Sequence, residues 1–363
     1  MGPRAGSIAL VAGGTAGHIA PAMAVAEELL GRSSDRSVFF VLSRRTPGQW
    51  LLQDTPFEVE TIDSRAFYGN GWQQRLALPW HVLSNAAAAR RLLRARGASL
   101  ILAFGGYGCV DAALAAASLR IPVVVHEANA RAGLSNRIAA TMASRICLGM
   151  AAAAVDFPGA RCVVTGNPVR RSFRDSRPPR DRRSGRRNLV VVGGSLGARF
   201  LDARVPELAA AVSRHGVDIG VTHFTGHRAT DEVLGRYRQH GIEATVLQRT
   251  GDMAGTLSAC DFVISQAGAM AVAEIAAVGV PALFVPLPGH AREHQAANLR
   301  ALQERAALWW TQESDWDTEA LARRLTAILA DQRASAQASA QARAMSDPGA
   351  AAAIADVCLE LCR

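Results

Sequence analysis

Short, continuous apolar runs recur along this chain, and between them apolar residues fall every three or four positions. The short runs predict buried parallel strands at 7–12, 38–42, 59–62, 100–104, 122–126 and 162–165. A second series follows at 189–192, 221–224, 245–247, 262–264 and 282–285. Helices are predicted between most of them, the first running from Pro21 to about residue 30. This alternation is that of an α/β protein with doubly wound parallel sheets. Between Arg170 and Arg187 the pattern lapses into nine arginines, two aspartates and Pro178-Pro179, a composition that builds no core. The expected organisation is a first domain over 1–166, a linker over 167–187 and a second domain over 188–345. A C-terminal helix over 346–363 is expected to pack back on the first domain. Each half opens with a strand, a glycine-rich turn and a helix, so two similar domains are expected to face each other across a cleft. Ligands in such sheets bind at the C-terminal ends of the strands.

Composition narrows the chemistry. The 363 residues carry a formal charge of +9 and no lysine, which excludes a Walker A or Schiff-base lysine. Aromatic residues are few and do not interleave with the arginines, so no nucleic-acid partner is expected. None of the six cysteines forms a Cys-x-x-Cys pair, which suits a reducing compartment and gives no zinc spacing. No run of 18 apolar residues could span a bilayer. One stretch has two readings. Trp72, Leu76 and Trp80, followed by Arg90, Arg91, Arg94 and Arg96, make either a core-facing amphipathic helix kinked at Pro79 or a surface patch for an anionic membrane.

Two turns carry candidate chemistry. The run 262–264 leads through Ser265-Gln266-Ala267-Gly268-Ala269-Met270 into a predicted helix, where free N–H groups favour a phosphate. Glu274, about two turns in, is placed to accept hydrogen bonds from a ribose diol. The first strand leads into Gly13-Gly14-Thr15-Ala16-Gly17-His18. That turn does not read Gly-x-Gly-x-x-Gly, and Ser43-Arg44-Arg45 replaces the acidic ribose ligand of a dinucleotide enzyme. A 2'-phosphorylated dinucleotide remains compatible with those arginines by charge.

These turns, with Gly105-Gly106-Tyr107, His126-Glu127-Ala128-Asn129, Gly166-Asn167-Pro168-Val169-Arg170, Gly193-Gly194-Ser195-Leu196-Gly197-Ala198-Arg199 and His294-Gln295-Ala296-Ala297-Asn298, occur in the order found in the MurG family. The chain resembles that family over nearly its whole length. The resemblance implies a GT-B glycosyltransferase fold of two Rossmann-like domains. It also implies an inverting N-acetylglucosaminyltransferase that uses UDP-GlcNAc and a polyprenyl-diphosphate-linked acceptor, lipid I, at the cytoplasmic face of the inner membrane. By the same resemblance Ser195, Thr250, Ala267, Gly268, Ala269, Met270, Glu274, His294 and Gln295 would bind the UDP-sugar, with Met253 near the base. Thr15, Ala16, Gly17, Asn129 and Arg170 would also reach the donor. Gly14, Thr15, His18, Tyr107, His126 and Asn129 would meet the acceptor, and His18 would be the catalytic base. No Asp-x-Asp metal pair is read in the chain, and helix dipoles can carry the leaving-group charge, so neither metal nor other cofactor is expected. The chain departs from the family at Ala16, Ala128, Gln266-Ala267 and His294, positions that bear on donor and acceptor identity. Alternatives on the same fold are a secondary-metabolism glycosyltransferase, a UDP-GlcNAc 2-epimerase or a non-catalytic sugar-nucleotide binder.

Overall fold

The computed structural model describes residues 6–32, 36–44, 46, 48–53, 55–64, 72–106, 108–157, 159, 161–177, 185–289 and 293–362, at 72–80 and 293 for the backbone alone. By its internal contacts the chain forms two units, 1–170 with 347–363 and 171–346.

The first unit is built on a parallel seven-stranded sheet: β1 (Ser7–Val11), β2 (Val38–Ser43), β3 (Glu58–Ile62), β4 (Ala98–Ala103), β5 (Val123–Glu127), β6 (Arg145–Leu148) and β7 (Cys162–Val164). Their order is β3-β2-β1-β4-β5-β6-β7. The order reverses between β1 and β4, where a doubly wound sheet opens a crevice at its C-terminal edge. β1 is wholly buried because helices cover both faces, which is why it reads as a continuous apolar run. The covering helices are α1 (Ala16–Arg32), α2 (Trp72–Ala95), α3 (Gly108–Ser118) and α4 (Leu134–Ala140).

The second unit has a parallel five-stranded sheet of β8 (Arg187–Val192), β9 (Ile219–Phe224), β10 (Ala244–Leu247), β11 (Phe262–Ser265) and β12 (Ala282–Phe284), in the order β10-β9-β8-β11-β12. Its helices are α5 (Arg171–Asp175), α6 (Arg199–Arg214), α7 (Thr230–Gln239), α8 (Met253–Ala259), α9 (Ala269–Val278), α10 (Glu293–Gln303), α11 (Thr318–Ala330) and α12 (Gln332–Ala344). The last helix, α13 (Ala350–Leu361), returns to the first unit and packs on α1 and β4, burying Ile354, Ala355 and Cys358 in that core.

Three local expectations are corrected. Helix α1 begins at Ala16 rather than at Pro21, which sits inside it. The missing proline N–H leaves only the carbonyl of exposed Gly17 without its helical donor, and water can replace that bond. Part of the expected linker is ordered as α5, because Phe173 is wholly buried against α8 and α9. β6 was not anticipated. It is a four-residue strand whose first member, Arg145, is exposed. The backbone of α2 is helical through Pro79, and the side chains of Trp72, Leu76 and Trp80 lie outside the described residues, as does Tyr107.

Candidate functional site

Each sheet presents its C-terminal strand ends as an edge carrying the turns singled out above. In the first unit the turn after β1 is tied to the turn after β4 by the Gly13 N–H, which donates to the Gly105 carbonyl at 3.0 Å. Gly105 has φ +110°, and a Cβ there would stand 2.8 Å from His18 Cδ2 and 2.9 Å from Nε2. The imidazole therefore packs directly against glycine backbone, and no larger residue fits at that position. His18 is held in the first turn of α1, its N–H bonded to the Thr15 carbonyl at 3.1 Å. Burial lowers its pKa from the usual value of about 6.5 and outweighs the pull of the Glu127 carboxylate and the Gly13 backbone, so the ring is neutral at pH 7.

Around His18 the expected acceptor residues separate into surface and support. Gly14, Thr15 and Ala16 are half-buried and Gly17 is exposed. His126, by contrast, is wholly buried, its ring 5.4 Å from that of Phe104, and neither ring nitrogen has a hydrogen-bond partner. It lies beneath the edge, so direct contact with an acceptor is closed to it. Burial pushes its pKa down to about 4, with the neighbouring charge of His18 adding to the fall and the Gly166 backbone opposing it. Glu127 accepts four bonds, from Asn129 N–H and Nδ2 (each 2.9 Å), Gly133 N–H (3.1 Å) and Asn136 Nδ2 (2.8 Å). Those donors fill its lone pairs, so it shapes the loop after β5. Asn129 is placed through that carboxylate. Asn136, which no sequence pattern singled out, also donates to the His126 carbonyl at 3.1 Å and turns a buried, unpartnered Oδ1 toward Gly105.

The second unit is arranged differently. Helix α9 is N-capped by Gly268, and its first helical bond runs from Val272 N–H to the Gly268 carbonyl at 3.0 Å. The N–H groups of 268–271 thus have no helical acceptor, the condition for holding an anion. Ala267 departs from expectation: it is fully buried, and its N–H is already given to Gln295 Oε1 at 3.1 Å. The same oxygen takes the Leu287 N–H at 3.0 Å, and Asn298 Nδ2 donates to the Ala267 carbonyl at 3.3 Å. Gln295 and Asn298, one turn apart on α10, therefore clamp the peptide that precedes α9, and the expected sugar contact of Gln295 is confined to what its carbonyl does not use. Asn298 and Gln266, whose Oε1 lies 3.2 Å from a Cβ built on Gly194, stand within the motifs read from the sequence but were given no role of their own there.

The remaining donor candidates are distributed around the same edge. Ser195 is exposed in the turn after β8, Glu274 is half-buried on α9, and His294 is half-buried at the start of α10. Met270 and Ala269 are buried in the first turn of α9. Thr250 Oγ1 accepts the Asp252 N–H at 3.1 Å, and Asp252 caps α8, where Met253 begins. Arg170 closes the first unit rather than joining the second. Contrary to the sequence reading, one Asp-x-Asp triplet exists, Asp315-Trp316-Asp317, but Asp317 caps α11 through the Glu319 and Ala320 N–H groups, each at 3.0 Å. Among the described residues no group of three or more His, Cys, Asp or Glu is placed to hold a metal ion.

Known proteins share this plan from end to end. The N-terminal domain of glycosyltransferase family 28 matches residues 8–148 and its C-terminal domain matches 188–354. Two curated relatives bear the name UDP-N-acetylglucosamine–N-acetylmuramyl-(pentapeptide) pyrophosphoryl-undecaprenol N-acetylglucosamine transferase. The one from Magnetococcus marinus is 33% identical over 94% of this chain and 93% of its own, and the one from Aeromonas hydrophila is 34% identical over 98% and 97%. The crystal structure of Acinetobacter baumannii MurG superposes with a TM-score of 0.74 at 28% identity, covering 98% of this chain and 99% of that one. The chain belongs to the MurG family. Its fold class is GT-B, with one Rossmann-like sheet in each unit. Its departures from the MurG pattern are accommodated locally. Ala16 starts α1, Ala128 offers its carbonyl to Asn167 Nδ2 at 3.0 Å, and the methyl of Ala267 is enclosed behind the clamp.

Proposed function

We propose that this chain transfers N-acetylglucosamine from UDP-N-acetylglucosamine to the N-acetylmuramyl 4-hydroxyl of a polyprenyl-diphosphate-linked pentapeptide, with inversion at the anomeric carbon. The observation that carries this reading is the likeness to curated transferases over both units. The site chemistry agrees with it. The acceptor hydroxyl gives its proton to an unprotonated ring nitrogen of His18, its oxygen bonds to C1 of the sugar, and the C1–O bond to the diphosphate breaks, releasing UDP. A neutral His18 in the first unit suits the base, and open N–H groups at the start of α9 suit the departing diphosphate. Glu274 is assigned the ribose diol.

The test is mass spectrometry of products formed from lipid I and a panel of UDP-sugars. A single N-acetylhexosamine added to lipid I only when UDP-GlcNAc is present is expected. Transfer of another sugar, or UDP-ManNAc formed without acceptor, would replace this reading. The reaction is assigned no metal, and activity lost to EDTA and restored by magnesium would overturn that.

Attachment to the cytoplasmic face of an anionic membrane is proposed through α2, whose sequence carries Trp72, Leu76 and Trp80 beside Arg90, Arg91 and Arg94. Among the described residues no helix is long and apolar enough to cross a membrane. Leu76→Glu with Trp80→Glu should abolish co-sedimentation with anionic vesicles, and retained binding would move the contact elsewhere.

A further inference from the structure

A buried polar group in the second unit is not used by the mechanism above. Asp202, in the first turn of α6, is 3% exposed. Its Oδ2 accepts the Arg228 Nε–H, and its Oδ1 lies 3.2 Å from His223 Nε2. His223 is in turn 2.9 Å from the Tyr237 hydroxyl through Nδ1, and both rings are wholly buried. Asp202 Oδ1 and His223 Nε2 make no hydrogen bond to each other, so the bond that holds the carboxylate and the guanidinium together is the one through Arg228 Nε.

Arg228 belongs to the turn after β9, which is closed by its own N–H to the Thr225 carbonyl at 3.3 Å and by Thr225 Oγ1 to the Arg228 carbonyl at 3.2 Å. Its stem packs on Gly197 so closely that a Cβ there would stand 2.5 Å from Arg228 Cδ. β9 is the sheet neighbour of β8, so Arg228 shares the C-terminal edge with the glycine turn that carries exposed Ser195. The side chain is 26% exposed, and among the described residues no hydrogen bond or ion pair engages its two terminal amines. An arginine anchored through Nε, with its outer amines open beside a glycine turn, is a preorganised fork for a phosphate group.

We infer that Arg228 contacts the diphosphate of a nucleoside-diphosphate donor and that Asp202 is the positioning residue that aims it. This rests on the nucleotide-sugar reading of the same unit. The alternative for the pair is a brace that keeps the glycine turn in shape, and the two differ in ligand dependence. A phosphate contact acts on UDP and leaves uridine alone, whereas a brace acts on both.

The experiment is calorimetry of UDP and of uridine with the full chain, as wild type, Arg228→Met and Arg228→Lys, alongside thermal melts. Arg228→Met should weaken UDP roughly ten- to a hundredfold, the range for a hydrogen bond to a charged group, while uridine affinity holds. The melts check only that the variant is folded at the temperature of the titration, since loss of the Asp202 partner lowers stability under either reading. Arg228→Lys should recover part of the loss, because it restores the charge without the fork. Unchanged UDP affinity in Arg228→Met, or equal losses for UDP and uridine, would overturn the inference while the donor reading stands. A wild type that binds no UDP would overturn both. Should the methionine variant not fold, Arg228→Gln takes its place under the same criteria.

Discussion

The two strand-end edges solve opposite problems. In the first unit His126 is wholly buried and His18 half-buried, His18 Nδ1 and both His126 ring nitrogens lack hydrogen-bond partners, and burial holds both groups below the usual histidine range. In the second unit only the Ala267 amide is occupied, its N–H by Gln295 and its carbonyl by Asn298, while the N–H groups that open α9 have no helical acceptor. An edge meant to exchange a proton needs a group whose charge state is easily changed by substrate. An edge meant to hold a fixed dianion needs dipoles that do not move. Under the proposed function the contrast goes with proton chemistry at one sheet and leaving-group stabilisation at the other, and each half of that proposal can be broken separately.

The largest effect expected is on turnover. His18→Ala should lower kcat by roughly 10² to 10⁴ at saturating acceptor, the range for a lost general base. A near-normal kcat with raised acceptor KM would reduce His18 to a positioning contact and remove the contrast. The wild-type rate should also fall as pH drops through the His18 pKa, below about 6.5, because the base must be unprotonated.

Next comes acid sensitivity. His126 has a folded pKa of about 4 against about 6.5 unfolded, so the unfolded chain takes up its proton first. Stability is fully present above pH 6.5 and lost as pH falls toward 4, by roughly 3 kcal/mol at the limit. Asp111, whose pKa burial raises to about 6 against hydrogen bonds from Ser64 and Asn85, contributes the opposite slope. The test is therefore the difference in urea unfolding between wild type and His126→Phe across that range. Identical slopes would show that His126 is not the buried titrating group.

On the other edge, Glu274→Ala should act mainly on UDP binding, weakening it by roughly 1.5 to 3 kcal/mol. Gln295→Ala should do the reverse, costing about 1 to 3 kcal/mol of stability by leaving the Ala267 and Leu287 N–H groups without their acceptor. If Gln295→Ala instead left unfolding untouched and altered only sugar selectivity, the clamp would be a substrate reader and the second edge less rigid than described.

How much of this was legible in the chain follows from what each feature depends on. Strands buried on both faces, such as β1 and β11, announce themselves as apolar runs, and glycine turns that begin helices announce the ligand edge. α9 is bracketed by Gly268 before it and Gly279 after it, the latter at φ +80°, so its ends are marked in the chain itself. The start of α1 is not, since Pro21 imitates a first-turn proline five residues inside the helix. α5 was hidden because one buried phenylalanine among arginines carries no periodicity. Asn136 escaped although its partners are only nine and ten positions away, while the role of Asn298 and the whole of Asp202 escaped for a stronger reason. Their partners are distant in sequence, and a polar residue satisfied across the fold looks like any solvated one until the fold brings its partner to it.

The return of α13 to the first unit has a consequence for synthesis. The first unit opens the chain, yet Ile354, Ala355 and Cys358 complete the core beneath α1. On the ribosome the whole second unit emerges before those residues do, so the first sheet must wait, with apolar surface uncovered, while a later one closes. The domain made first is the one finished last.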